Sequence, residues 1–243
     1  MKTVQVRKNV FLALGALSFL SLLLSGCLKE TQTTPPTPKT YLSLMHLAPR
    51  APAIQVFFNG NSQPASSSIT PGMVADAYSA LEPGAYGVVF KKTGSDSVVA
   101  SLGTGLYDSL QYNTLLLYNI DSTHVGAVRI RDDYRVLTAD KAYYRFFHMS
   151  PDIGEVDVYL DNSQIETGRQ HADNTQSDFF NQFTGTVPNT YNIIVKKAGA
   201  DSVIAQRTSV FLAQGQAYTI FLKGIKGGTD KNQFGLEILQ AAD

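Results

Sequence analysis

Residues 86–100, YGVVFKKTGSDSVVA, return as residues 191–205, YNIIVKKAGADSVIA, a constant 105 positions later. Eight of the fifteen positions are identical, and most of the rest exchange like for like, as Val for Ile. Two copies of one unit must therefore be accommodated by the fold. With roughly 100 residues each, a copy can bury about 60–70% of its unfolded-chain surface, so each is expected to build its own core.

Within copy one, residues 41–49 (YLSLMHLAP) read as an apolar strand turning at Pro49. Residues 54–58 (IQVFF) partly alternate and stop at Asn59-Gly60, a favoured hairpin pair. A polar loop over 61–68 precedes a weaker strand at 73–81. That strand runs into Glu82-Pro83-Gly84, where Pro presets φ and Gly supplies positive φ for a type II turn. The repeated stretch then reads as strand 86–90, glycine turn 92–96 and returning strand 97–102. Strands at 112–119 and 125–131 complete the copy. In copy two, 143–151 (YYRFFHMSP) align at an offset of 102, Pro188-Asn189 replaces the Pro-Gly turn, and 216–222 match 111–117 at 105. Copy two has thus gained three residues, which fall in the polar stretch 161–178 with Arg169, His171 and Asp173. Surface loops tolerate insertions and often carry function, so this stretch is either a copy-specific contact surface or a solvated spacer. No segment shows three turns of helical spacing. Short strands with turn signals between them predict an all-β protein, two tandem β-sandwiches at 41–138 and 139–243.

The N-terminus reads differently. Lys2, Arg7 and Lys8 precede an apolar run at 10–24, which is shorter than the roughly 20 residues of a membrane span. The run ends in Leu24-Ser25-Gly26-Cys27, which resembles a bacterial lipobox. On that reading residues 1–26 are a removed signal peptide, and Cys27, the only cysteine, is lipidated and anchors the chain in a bilayer. Removal takes three of the 20 basic residues and none of the 20 acidic ones, leaving a net charge of −3. That argues against nucleic acid as a partner. With no other cysteine, stability must come from apolar cores rather than disulfides. Residues 27–40, ending TQTTPPTPKT, have no face to bury and are expected to form a disordered, extended tether. Lys29-Glu30 after Cys27 partly resembles the surface-export signal of Bacteroidota lipoproteins. The expected location is the outer membrane, at the cell surface, with a periplasm-facing position as the alternative.

HLAPRAPAIQVFFNG at 46–60 and HMSPDIGEVDVYLDN at 148–162 resemble the opening motif of the domain of unknown function DUF4397 family. The resemblance covers residues 41–243 and implies exported bacterial lipoproteins, often with tandem copies. It also implies a transthyretin-like or immunoglobulin-like sandwich without an established activity. His46, Pro49, His148, Pro151 and Asp152 carry the motif, and Arg50 replaces the acid in copy one. One His per copy is too few for zinc, so His46 and His148 read as turn-capping or buried residues, while His124 and His171 have no counterparts. The pattern from Asp173 to Asp178 lacks the glycine and bidentate Glu of a calcium loop. No nucleophile elbow, zincin motif or phosphate loop occurs, and no cofactor is implied. Ser97, Ser109, Ser122 and Ser202 follow Asp in turns that resemble Bacteroidota O-glycosylation sites. The expectation is a non-enzymatic envelope lipoprotein acting in binding, of a protein or glycan, or as a spacer. A carbohydrate-binding accessory lipoprotein is the alternative.

Overall fold

The strand order of the first copy recurs in the second, which has one further strand among the described residues. The computed structural model describes residues 37–59 and 67–241, and no α-helix occurs among them. The segment read as a signal peptide, Cys27, and the part of the expected tether up to residue 36 lie outside the described residues. Copy one contains β1 (Thr40–His46), β2 (Ile54–Phe58), β3 (Ser79–Leu81), β4 (Gly84–Lys92), β5 (Val98–Tyr107), β6 (Tyr112–Asn119) and β7 (Val125–Asp132). Sheet β3-β1-β6-β7 packs on sheet β2-β4-β5. Copy two contains β8 (Ala142–His148), β9 (Val156–Leu160), β10 (Ser163–Arg169), β11 (Thr184–Thr186), β12 (Asn189–Lys197), β13 (Val203–Leu212), β14 (Ala217–Lys223) and β15 (Gly235–Gln240). Sheet β11-β8-β14-β15 packs on β10-β9-β12-β13. The fold is all-β, two β-sandwiches in tandem.

Each sandwich has the core its alternating strands dictate. Leu42, Val88, Phe90 and Leu117 meet in copy one, and Phe146, Val158, Ile193 and Ile220 meet in copy two. The central strands go further. β1 runs parallel to β6, and β8 parallel to β14. Central strands buried on both faces read as near-continuous apolar runs. All seven residues of β8, AYYRFFH, are buried.

What covers the second face is the other copy. Met45, Leu47, Leu116 and Ile130 of copy one meet Phe147, Met149, Ala172 and Phe221 of copy two in a third core. Pro38–Asp243 is consequently one compact unit, and the copies are not independent beads. Burying a large apolar side chain stabilises by about 1.5–3 kcal/mol, so the seven large residues of this core outweigh the entropy of a short linker.

Local expectations fail where a tertiary contact replaces turn chemistry. Only Ser79–Leu81 of the expected strand at 73–81 is a strand, with Val74 making an isolated bridge to Met45. Gly84 and Asn189 are not among the positive-φ residues, so neither makes a type II turn; each begins a strand instead. The corner is held by tyrosine. Tyr86 Oη donates to Glu82 O at 2.9 Å, and Tyr191 Oη donates to Val187 O at 2.7 Å. The polar stretch 161–178 is not a plain loop, because β10 lies in it and pairs with β9 around Asp161 at φ 52°.

Candidate functional site

The repeated hairpin faces water in both copies. Gly94 and Gly199 take φ 72° and 68° at its tip, and Lys91–Asp96 and Lys196–Asp201 pair at 2.8 and 3.0 Å. The same lysines lie over Phe57 and Tyr159, 4.9 and 4.8 Å from the ring centroids. Exposed pairs of this kind contribute little, because water screens them. Ser97 and Ser202 are exposed just before β5 and β13, and Ser109 and Ser122 are exposed between β5 and β6 and between β6 and β7.

His46 and His148 are fully buried, and each ring spans its own loop. Nε2 lies 3.1 Å from Pro52 O in copy one and 3.0 Å from Gly154 O in copy two, so Nε2–H is the donor. Burial lowers both imidazoles from their ordinary range, although the backbone bond opposes it. Asp152 Oδ2 accepts the Lys226 N–H at 2.8 Å, closing the loop after β8. In copy one Asn119 Oδ1 accepts the Arg50 N–H at 3.0 Å, so a side chain from β6 ties the loop after β1 and no acid is required at position 50. The motif residues thus hold loops. Pro49 reaches across the copies, its carbonyl accepting from Asn232 Nδ2 at 3.0 Å. Arg169 and Asp173 are both buried and are bonded to each other at 2.7 and 2.9 Å, which removes them from the surface.

The groups that sequence reasoning did not single out meet at the junction of the copies. Arg145, at the centre of β8, points away from its own core toward copy one. Its Nη1 donates to Asp132 Oδ1 at 2.6 Å, and its Nε donates to Thr219 Oγ1 at 2.9 Å. Both charges are almost fully buried. Asp132 Oδ2 accepts from Thr114 Oγ1 at 2.7 Å and from Tyr78 Oη at 2.8 Å, and the Tyr78 and Tyr134 hydroxyls lie 2.6 Å apart. The guanidinium also lies over Phe147 and Phe183, at 4.8 and 4.5 Å. A buried pair breaks even only when its remaining lone pairs are satisfied, and here Asp132 is satisfied on both oxygens. Burial, and then the Asp132 charge, push the Tyr134 phenol up to about 12 and the Tyr78 phenol further still. The one signal for this cluster is an arginine within an otherwise apolar strand.

Above the pair a cleft of about 360 Å³ opens between the copies. Arg131, Asp133 and Val136 line it from the end of β7 and the connector, and Asp178, Gln182 and Phe183 line it from copy two. Phe183 is stacked on Tyr134 at 5.5 Å. Asp133 is held by Arg135, whose hydrogen bond brings its carboxyl down to about 2. Arg131, Asp178 and Gln182 have no side-chain hydrogen bond or ion pair with any described residue. The cleft therefore offers an unspent cation, carboxylate and amide beside an apolar wall.

Residues 40–159 match the family model of the domain of unknown function DUF4397, covering copy one and running into β9 of copy two. A search of curated proteins finds no match. Among solved structures the chain is similar to a pilus adhesin, SpaC, from Lactobacillus rhamnosus GG, at 10% identity and a TM-score of 0.20. That alignment covers 84% of this chain, which spans 31% of the adhesin.

Proposed function

We propose that this chain is a non-enzymatic lipoprotein of the cell envelope, anchored through Cys27, whose two sandwiches act as one rigid module for binding or for spacing. The observation that carries the reading is the third core, with the Asp132–Arg145 pair at its edge, which joins the copies into a single body. A rigid body holds the surfaces of the two sandwiches at a fixed spacing, which independent beads would not. The repeat-equivalent His46 and His148 are bonded to backbone carbonyls and Asp152 to a backbone amide, which leaves them as loop supports. A resident outer-membrane position, at the cell surface or facing the periplasm, follows from the lipobox and the residues after Cys27.

Two measurements test this reading. Palmitate labelling of the full chain should be lost in Cys27→Ala, and equal labelling of both proteins would overturn the anchor. Calorimetry of the full chain should give one cooperative transition for both sandwiches, because a shared core couples them. Two separable transitions would overturn the rigid module. Protease treatment of intact cells then distinguishes the surface from the periplasmic face.

A further inference from the structure

We infer that the junction cleft is a binding site for a neutral, hydroxyl-rich ligand, a saccharide unit of a glycan. The inference rests on the binding form of the reading above and names its ligand class. Four observations carry it. The free groups are mixed, since the Arg131 guanidinium and the Gln182 amide can donate while the Asp178 carboxylate and the Gln182 carbonyl can accept. Such a set matches paired hydroxyls, each both donor and acceptor, and offers no excess of one charge to a plain anion or cation. An aromatic surface is part of the wall, because Phe183 lines the cleft and is held in place by its stack on Tyr134 at 5.5 Å. The 3-10 turn Asp178–Asn181 is also pre-organised. Ser177 Oγ accepts from the Phe179 N–H, Asn181 Nδ2 donates to Asn174 O at 3.0 Å, and the Asn181 carbonyl faces Arg145 Nη1 at 3.4 Å. Its backbone is fixed from below while the side chains of Asp178 and Gln182 remain unengaged.

The fourth observation is asymmetry. The counterpart segments with the copies exchanged, residues 75–78 of copy one and 239–241 of copy two, line a space of only about 10 Å³, shared with Tyr134 and Arg145. Duplication therefore explains the sandwiches but not the cleft, which forms where copy two carries its extra residues and where the connector leaves β7. At about 360 Å³ its volume lies within the range of small-ligand pockets.

The test is an array of immobilised neutral, N-acetylated and uronic-acid oligosaccharides probed with the full chain in detergent, followed by titration of the best soluble hit. Asp178→Asn and Gln182→Ala alter exposed side chains, so both proteins should keep the wild-type melting transition. Each should bind the hit about tenfold more weakly, the loss expected for one hydrogen bond to the ligand. A blank array with protein that still melts in one transition would overturn the saccharide site and leave the rigid-module reading standing. A hit whose affinity neither substitution changes would also overturn it, by placing the binding elsewhere.

Discussion

Arg145 Nη1 lies 2.6 Å from Asp132 Oδ1, and the two residues, 13 apart in the chain, belong to different sandwiches. Taking two charges out of water is expensive, and here the geometry returns it through Thr114, Tyr78 and Thr219. Removing one partner leaves the other charge buried and alone. Arg145→Met or Asp132→Leu should destabilise the chain by about 3–5 kcal/mol in urea unfolding. The double replacement Asp132→Leu with Arg145→Met should recover most of that loss, since an apolar pair carries no desolvation penalty. Additive losses in the double variant would contradict the pairing.

That relationship marks where the sequence stops being legible. Alternation and turn residues locate β2, β4, β6 and the repeated hairpin, because each buries one face or makes a local turn. They say nothing about which strand pairs in parallel with which, and so the β1–β6 and β8–β14 pairings could not be read. The apolar runs YLSLMH and YYRFFH do carry a further message, that both faces are covered, but a run alone does not name what covers them. Arg145 within YYRFFH required a buried acid, and Asp132 is one of 20 acidic residues. Gly84 and Asn189 misled because a tyrosine hydroxyl four residues from its acceptor holds the corner that a positive φ was expected to make. The cleft was illegible for a related reason: its two walls come from segments that meet only once the copies dock.

Gly72 and Gly94 share a left-handed backbone, φ 82° and 72°, but not the same surroundings. A Cβ on Gly72 would stand 2.1 Å from the carbonyl oxygen of Lys231 in the other copy, whereas a Cβ on Gly94 meets nothing within 4 Å. Gly94→Ala should destabilise by about 1–2 kcal/mol, the left-handed penalty alone. Gly72→Ala should add about 1–3 kcal/mol for the forced displacement at the junction. Equal effects of the two in parallel urea titrations would show that the copies do not meet there.

Buried imidazoles set an acid limit. His46 and His148 are lowered by burial, and His171 is lowered to about 4 by burial first, then by the charges of His148 and Arg50. A depressed imidazole favours its neutral form in the folded state, so the unfolded chain binds the proton first. The stability these rings contribute is complete above 6.5 and is lost as pH falls through their folded values, for His171 between 6.5 and about 4. Titration of the imidazole C–H resonances by NMR should place the His171 midpoint near 4. A midpoint at or above the ordinary histidine value would contradict its packing against His148, 6.1 Å away between ring centroids.

The extra segment of copy two is held down by Arg169. Its Nε and Nη2 donate to both oxygens of Asp173, Nη1 donates to Glu166 at 2.8 Å, and Nη2 also donates to the Phe146 carbonyl at 2.9 Å. The guanidinium lies over Phe180 at 4.3 Å, so one side chain links β10, β8 and the 3-10 turn that lines the cleft. Arg169→Ala leaves Asp173 buried without its partner and should destabilise by about 3–5 kcal/mol. Arg169→Lys keeps the charge but not the fork, and should fall between Arg169→Ala and wild type. Hydrogen exchange locates the effect: amides of residues 172–182 should lose protection in Arg169→Ala before those of β12 and β14, because the segment opens without unfolding the sandwich. If the segment kept its wild-type protection in Arg169→Ala, something other than this residue would be anchoring it.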